Sequence, residues 1–470
     1  MLDERPLFDA STKVLFLDYF RVPYRVVEAD RDRRWESVSR AGDPDGPALR
    51  WPVFERAEAV LPPRIRMLGS TPVYGRVCSP EIGRGAEPLE ELRDSGQVAR
   101  VWRDTRGGVV LPFDPNEAIE GLWSEAYASS ASNRLVDMRK AALRAYYAAR
   151  PLLPRQFQIW LRRRLVAVQG RRRFPRWPLE PALHDLYGRL FGWFRLVAEE
   201  PVPWIGAWPR GVDWTFVLTH DVETRVGYEN INLLSDVEVD AGVRSSWNFV
   251  ARRYDVAGDV VADLAERGFE IGVHGLHHDG RDLAQLDERL PAMHEAAERW
   301  GAVGFRSPAT HRDWELMWRL GFDYDSSYPD TDPYEPQPGG CCTWLPYFNR
   351  ELVELPITLP QDHTLFVILR HTDESAWVEK TEQLRAVGGL ALLVTHPDYM
   401  LDHNAVDIYR RYVERFAEDP KAWRALPREV SSWWRRRAAT SLRRRDGSWE
   451  LIGPGAAEAT LRYDSPPEPA

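Results

Sequence analysis

Short runs of apolar and β-branched residues alternate with helical patterns from Gly211 onward. Runs of this length, bounded by glycine, proline or polar residues, are typical of buried strands. The predicted strands are Thr215–Thr219, Ser245–Val250, Phe269–Val273, Gly304–Phe305, Leu352–Ile357 and Leu390–Thr395, and the predicted helices are Asp259–Arg267, Asp282–Trp300 and Glu374–Val387. This order predicts βα units with a mostly parallel sheet or a barrel.

The sequence on either side of this region has a different pattern of apolar and polar residues. Before residue 115, proline and glycine separate short β-like runs, and helices are expected over Asn133–Arg150 and Pro181–Ala198. After Tyr409 the pattern predicts a helical tail. We therefore predict an α/β protein with an N-terminal α+β region over 1–200 of unknown role, a βα domain over 211–400 and a helical extension over 401–470.

Composition excludes several classes of protein. Of 470 residues, 44% are apolar and 28% are charged, which is not the balance of a disordered or fibrous chain. The net charge of −9 argues against a nucleic-acid binder, and three cysteines exclude a disulfide scaffold. The sequence has neither a secretory leader pattern nor a membrane-length apolar run, so we expect a cytoplasmic protein without a transmembrane segment.

Residues that can carry chemistry follow the predicted strands, at the ends where a parallel sheet or barrel places its site. Asp221 and Glu223 lie two residues apart, so both side chains can face one cavity. His274 and His278 lie four apart and can converge on one cation, with His277 as an alternative to His278. Histidine and carboxylate ligands suit Zn²⁺, or Co²⁺ or another divalent transition metal.

Two further clusters follow later strands. Arg306 and Pro308 come after Gly304–Phe305, and His396 comes after the last predicted strand. Arg306 taken alone could form a salt bridge, and His396 could cap its strand. Asp398 could orient His396, but its position after a proline is more typical of a turn residue.

Together the clusters resemble the polysaccharide deacetylases, the NodB-like carbohydrate esterases, over about Gly211–Tyr399. The family's His-x-x-x-His, Arg-x-Pro and Leu-x-x-His motifs match, respectively, His274 and His278, Arg306 and Pro308, and Leu393 and His396. The first motif departs from the common form, because Val222 replaces the second of two aspartates. Asp221-Val222-Glu223 resembles instead a branch that carries Asp-Val-Asp.

This resemblance implies a distorted (β/α) barrel that catalyses metal-dependent amide hydrolysis. Asp221 would be the catalytic base and Glu223 the third metal ligand, unless these two roles are exchanged. Arg306 would hold Asp221 ionised, and His396 would protonate the departing amine.

Four residues are expected to bind substrate. The resemblance places Pro308 and Asp325 in or near the family's substrate pocket. Trp247 and Trp344 lie close to the motifs in sequence, and tryptophan rings can stack on sugars.

The leading hypothesis is a deacetylase that removes an acyl group, N-acetyl first of all, from a sugar of a polysaccharide or glycan precursor. A deformylase acting on a lipid-linked amino sugar is an alternative, since such substrates face the cytoplasm. A carbohydrate-binding protein without catalysis is another, motivated by Val222 and Glu223. A metal-free amidohydrolase is a third.

Four arginine clusters lie outside the motifs that carry the proposed chemistry. They are more typical of solvated surfaces than of a patch for a peripheral membrane contact or another anionic partner. The clusters are Arg162–Arg164, Arg171–Arg173, Arg435–Arg437 and Arg443–Arg445.

Overall fold

The computed structural model describes residues 14–27, 35–42, 46–57, 60–80, 83–94, 96–128, 154–169, 174–335 and 337–463. The helix predicted over Asn133–Arg150 and the cluster Arg171–Arg173 lie outside the described residues.

The helices alternate with strands most regularly after residue 213. The helices are α1 (Leu15–Phe20), α2 (Pro115–Trp123), α3 (Arg155–Gln169), α4 (Ala182–Ala198), α5 (Arg225–Glu229), α6 (Asn232–Asp240), α7 (Gly258–Glu266), α8 (Leu286–Trp300), α9 (Trp314–Met317), α10 (Ser375–Ala386), α11 (His403–Ala417) and α12 (Pro427–Ala438). A π-helix spans His363–Leu369. The strands are β1 (Tyr24–Val26), β2 (Trp35–Arg40), β3 (Leu49–Pro52), β4 (Leu61–Leu68), β5 (Thr71–Val77), β6 (Glu87–Asp94), β7 (Gln97–Arg103), β8 (Val109–Val110), β9 (Trp204–Ile205), β10 (Trp214–Val222), β11 (Ser245–Phe249), β12 (Glu270–Val273), β13 (Gly304–Phe305), β14 (Tyr324–Asp325), β15 (Tyr347–Asn349), β16 (Leu352–Glu354), β17 (Leu390–Thr395), β18 (Ala422–Arg424), β19 (Ser441–Arg445), β20 (Ser448–Ile452) and β21 (Leu461–Arg462).

The chain forms two compact units. The first contains residues 1–143, 181–210 and 436–470, and the second contains residues 144–180 and 211–435. This division differs from the predicted boundaries, because residues 401–470 do not form one helical extension. Strand β18 pairs with β10 inside the second unit, whereas β19 and β20 form a hairpin in the first.

The first unit contains an eight-stranded sheet in the order β1-β2-β3-β8-β7-β6-β4-β5. Its neighbouring strands run antiparallel except β3 and β8, which are parallel. Helix α4 packs against β2 and β5. The helix buries one face, because its apolar residues recur every three or four positions. These residues are Leu183, Leu186, Leu190, Phe194 and Val197.

A buried arginine joins distant segments of this first unit. Arg437 donates to the backbone carbonyl oxygens of Tyr19, Ile205 and Gly206 at 2.7–2.8 Å. Burial lowers the pKa of Arg437 to about 10. Burying a cation without hydrogen-bond acceptors costs free energy, and the three carbonyl oxygens offset that cost.

The second unit is built on a curled sheet in the order β15-β16-β14-β13-β12-β11-β10-β17. Every pair from β16 to β17 along this order is parallel. All nine residues of β10 are buried, as expected for a parallel strand covered on both faces. After β16 the chain crosses to β17, the outer strand at the other side of the sheet, where Leu359 N–H donates to Leu392 O at 3.1 Å.

The strands predicted from the sequence are confirmed, with small shifts at their ends. The prediction for β17 has the observed bounds, and the predicted Thr215–Thr219 forms the centre of β10. The helix predicted over Pro181–Ala198 is α4. Within the described part of the chain, no helix is both long and apolar enough to span a membrane.

Candidate metal centre

The parallel register of the second unit brings the ends of six strands to one edge. Asp221 on β10 is paired with Asn248 on β11, Phe249 with Val273 on β12, and Phe305 on β13 with Asp325 on β14. The segments that leave β12, β13 and β17 at this edge carry the predicted histidines and arginine. The fold therefore assembles at one edge the motifs that lie far apart in sequence.

Glu223, His274 and His278 form a group that can hold one metal ion. One ligand atom from each residue lies within 4.8 Å of the others. His278 Nε2 is 3.0 Å from Glu223 Oε1, and each of these two side chains is about one-sixth exposed, at 15% and 17%. His277 is exposed, so the alternative ligand is not favoured by the structure.

The hydrogen bonding of His274 selects the nitrogen that can bind a metal. His274 Nδ1 lies 3.1 Å from the backbone oxygen of Arg306, which requires the proton on Nδ1. The opposite atom, Nε2, is buried and has no hydrogen-bond partner among the described residues. Burial lowers the pKa of His274 to about 4, which keeps its ring neutral. A neutral ring with an unpartnered nitrogen fits a divalent metal.

The backbone around the two histidines is unusual at two positions. Gly275 has φ of +68°, and a Cβ there would lie 2.2 Å from Asp282 Oδ2 and 2.7 Å from Pro308 Cγ. His278 has φ of +54°, a left-handed conformation that is costly for a residue with a Cβ. These conformations turn the loop after β12 so that its two rings approach each other, with centroids 5.1 Å apart.

Asp221 is held as an ionised carboxylate beside this group. Its Oδ1 accepts hydrogen bonds from Asn248 Nδ2 at 2.9 Å and from Arg306 NH1 at 3.2 Å. Burial alone would raise the pKa of Asp221, but the neighbouring cation of Arg306 and nearby His274 lower it below its ordinary value. The other oxygen, Oδ2, lies 3.8 Å from His274 Nδ1.

Arg306 is fixed on every side. It is 1% exposed and donates to Thr219 Oγ1 at 2.8 Å, to Ser326 O at 2.7 Å and to Ser326 Oγ at 2.9 Å, in addition to Asp221. Arg306 does form a salt bridge, and its partner in that salt bridge is Asp221, the candidate base. A structural role as an ion pair and a functional role beside the base are therefore compatible.

His396 is oriented by a carboxylate that sequence reasoning missed. Asp362 Oδ1 lies 2.6 Å from His396 Nδ1, and Asp362 Oδ2 accepts the backbone N–H of His396 at 2.9 Å. Burial alone would lower the pKa of His396, but Asp362, Glu223 and Asp221 together raise it to about 10. Asp362 lies 34 residues before His396 and no local motif connects the two.

Asp398 holds the loop that follows β10 and does not orient His396. Its carboxylate accepts the backbone N–H groups of Glu223, Thr224 and Gly227, at 2.9, 3.0 and 3.3 Å, and the Thr224 hydroxyl. A side chain at Gly227 would collide with this carboxylate, because its Cβ would lie 2.2 Å from Asp398 Oδ2. This arrangement agrees with the prediction that Asp398 is a turn residue rather than the partner of His396.

Three of the four predicted substrate contacts lie in the core. Trp247 is fully buried and stacks on His220, with ring centroids 4.1 Å apart. Trp344 is 1% exposed, and Asp325 is fully buried with both carboxylate oxygens accepting from Ser327. These three side chains are core residues in this structure, and no exposed surface is left to meet a sugar.

Pro308 is also buried, but it lies against the site. It lies close to Gly275, the neighbour of the candidate ligand His274, since a Cβ at Gly275 would be 2.7 Å from Pro308 Cγ. Asn248 and Tyr399 are two site residues that the motifs did not include. Asn248 is a buried polar residue near the C-terminal end of β11, where the other site residues also lie, and that position could have identified it.

The described members of the arginine clusters are mostly engaged within their own units. Their partners are backbone oxygens, carboxylates and one aromatic ring, which favours a structural role over a membrane patch. The pairs are Arg162 with Tyr334, Arg163 with Val367, Arg164 with Trp160, Arg435 with Asp323, Arg436 with Glu458, Arg443 and Arg445 with Glu450, and Arg444 with Glu200.

Solved structures of polysaccharide deacetylases match about half of this chain. A protein from Mycobacterium smegmatis assigned as a polysaccharide deacetylase is 19% identical, and the match covers 52% of this chain and 98% of that one, with a TM-score of 0.40. A Pseudomonas aeruginosa PAO1 protein with the same assignment is 17% identical, with coverage of 49% and 93% and a TM-score of 0.40. The allantoinase PuuE is 16% identical, with coverage of 48% and 92% and a TM-score of 0.39.

The sequence comparisons found no relatives. No family model matches the chain, and no curated protein is significantly similar to it. We therefore base the functional proposal on the geometry of the site.

Proposed function

We propose that this chain is a metal-dependent hydrolase that removes an acyl group, N-acetyl in the first instance, from the nitrogen of a sugar in a polysaccharide or glycan precursor. The observation that carries the proposal is the convergence at one sheet edge of a three-residue ligand group, an ionised carboxylate held by arginine, and a histidine held by aspartate. These are the parts that metal-assisted hydrolysis requires.

Glu223, His274 and His278 would hold the metal, for which we propose Zn²⁺. A divalent ion there would supply Lewis-acid activation of water and of the acyl oxygen. Three protein ligands leave coordination positions open, as in catalytic rather than structural zinc sites. The neutral His274 ring and the ionised Glu223 carboxylate are already in their ligand forms.

Asp221 is the proposed base. Because Asn248 and Arg306 occupy Oδ1, Oδ2 is the atom that accepts a proton from the attacking water.

His396 is the proposed acid. Because Asp362 occupies Nδ1, Nε2 is the atom that donates a proton to the departing amine. One proton taken from water and one given to nitrogen balance the hydrolysis to a free amine and a carboxylic acid.

Replacing Asp221 with asparagine tests this assignment. The amide cannot accept the proton, so we expect Asp221→Asn to lower kcat by at least ~10²-fold while the protein still binds Zn²⁺. The measurement is the release of carboxylic acid from a panel of N-acetylated and N-formylated glycans by the zinc-loaded protein. Unchanged turnover in Asp221→Asn would show that the base lies elsewhere.

The same assay separates the other hypotheses. Acetate as product supports the deacetylase, and formate identifies a deformylase. Glycan binding without any acid release identifies a non-catalytic binding protein, and turnover that survives strong chelators identifies a metal-free amidohydrolase. The cytoplasmic location stays a prediction.

A further inference from the structure

Tyr399 donates its hydroxyl hydrogen to Glu223 Oε2 at 2.8 Å. The other carboxylate oxygen, Oε1, is the one that lies 3.0 Å from His278 Nε2. The two oxygens of Glu223 are therefore not equivalent. One is occupied by a phenol and the other faces the histidines of the metal group.

Tyr399 belongs to a short turn that holds Glu223 at two points. Its backbone N–H donates to His396 O at 2.9 Å, which closes the turn after β17. Asp398, in the same turn, accepts the backbone N–H of Glu223 at 2.9 Å. Asp398 thus fixes the main chain of Glu223, and Tyr399 fixes its carboxylate.

The ring of Tyr399 is also confined. It packs against the rings of both His363 and His396, at centroid distances of 4.8 and 5.4 Å. Glutamate has one more rotatable bond than aspartate, so an unsupported Glu223 carboxylate would sample more orientations and lose more entropy on binding. A confined donor removes that freedom before a metal arrives.

We propose that Tyr399 is a positioning residue that holds Glu223 as a one-oxygen ligand, with Oε1 directed to the metal and Oε2 kept away from it. This inference rests on the proposed metal centre. Residues that donate to a ligating carboxylate orient it, and their loss weakens metal binding by about 10–100-fold. The expected consequence of Tyr399→Phe is a loss of zinc affinity in that range.

Tyr228→Phe is the matched control. Tyr228 is likewise half-buried, and its hydroxyl accepts the backbone N–H of Ala257 at 3.0 Å instead of donating to Glu223. Zn²⁺ dissociation constants are measured by competition with a chromophoric chelator, for wild type and both variants. Visible absorption of the Co²⁺-substituted proteins reports any change in coordination geometry.

Glu223→Asp supplies a second, independent test. Shortening the side chain withdraws the carboxylate from the phenol, so Tyr399→Phe in that background changes zinc affinity by less than about twofold if Tyr399 acts through Glu223. An equal loss in both backgrounds overturns the inference. So does a Tyr399→Phe variant with wild-type affinity and an unchanged Co²⁺ spectrum.

The outcomes distinguish this inference from the proposed function. If wild type binds Zn²⁺ and Tyr399→Phe has the same affinity and the same Co²⁺ spectrum, the positioning role is wrong, but the proposed metal centre is not contradicted. If wild type binds no metal, both the metal centre and the role of Tyr399 are wrong.

Discussion

Asp362 accepts two hydrogen bonds from one residue, the backbone N–H and the ring nitrogen Nδ1 of His396. Both side chains are buried, so water does not compete for these contacts. The arrangement fixes the plane of the ring and leaves Nε2 as the atom free to donate. A negative charge on Asp362 also favours the protonated ring.

We expect Asp362→Asn to move the alkaline limb of the pH profile of kcat/KM toward lower pH. Removing the carboxylate lowers the pKa of His396 from its raised value of about 10, and a general acid loses activity as the pH rises through its pKa. Activity at neutral pH should fall roughly 10²-fold or more. An alkaline limb that stays in place, in a variant whose thermal unfolding is normal, would contradict the role given to Asp362.

Strands β14 and β16 carry a buried pair of carboxyl groups behind the site. Asp325 is directly paired with Glu354 in the parallel register, and both are fully buried. Burial raises the pKa of Glu354 well above its ordinary value, and the charge of Asp325 adds to the effect. The next two residues after β14, Ser326 and Ser327, hold Arg306 and Ser307, so this pair supports the strand ends that position the arginine.

We expect this pair to make the second unit less stable as pH rises. Carboxyls with raised folded-state pKa values bind more protons folded than unfolded, so stability is highest at acid pH. It falls as pH rises from the ordinary glutamate value of 4.5 through the raised pKa values, which for Asp325 is about 6.

Glu354→Gln removes the ionisable group and nearly preserves the size and shape of the side chain. We expect it to flatten the pH dependence of the free energy of unfolding above pH 4.5, where each proton contributes up to about 1.4 kcal/mol per pH unit. Denaturant unfolding at several pH values measures this slope. A variant with the same slope as wild type would show that Glu354 is ionised in the folded protein.

At the scale of the whole molecule, sequence reasoning located the βα unit and the candidate site residues, but not the residues that hold those side chains in place. Strand positions follow from local apolar runs, and Asp221, His274, Arg306 and His396 lie at strand ends that the parallel register aligns. Tyr399 and Glu223 are 176 residues apart, so only the folded chain reveals their contact.

Two other features of the structure also could not be predicted, because they depend on how distant parts of the chain pack together. The sequence predicted Trp247 and Trp344 to meet substrate because they lie near the motifs along the chain, but their side chains face the core. The division of the chain was missed because the first unit combines three separate segments, 1–143, 181–210 and 436–470. Composition changes along the sequence do not show which distant segments pack together.

The most direct test of the metal centre is the metal content of the full chain, purified without a metal-affinity tag and measured by elemental analysis. We predict about one equivalent of Zn²⁺ or a related transition metal per chain, and its loss in His274→Ala, because the Nε2 of His274 is then absent. His277→Ala, which changes an exposed neighbour, should retain the metal. A wild-type protein that holds no metal even after incubation with Zn²⁺ would contradict the account.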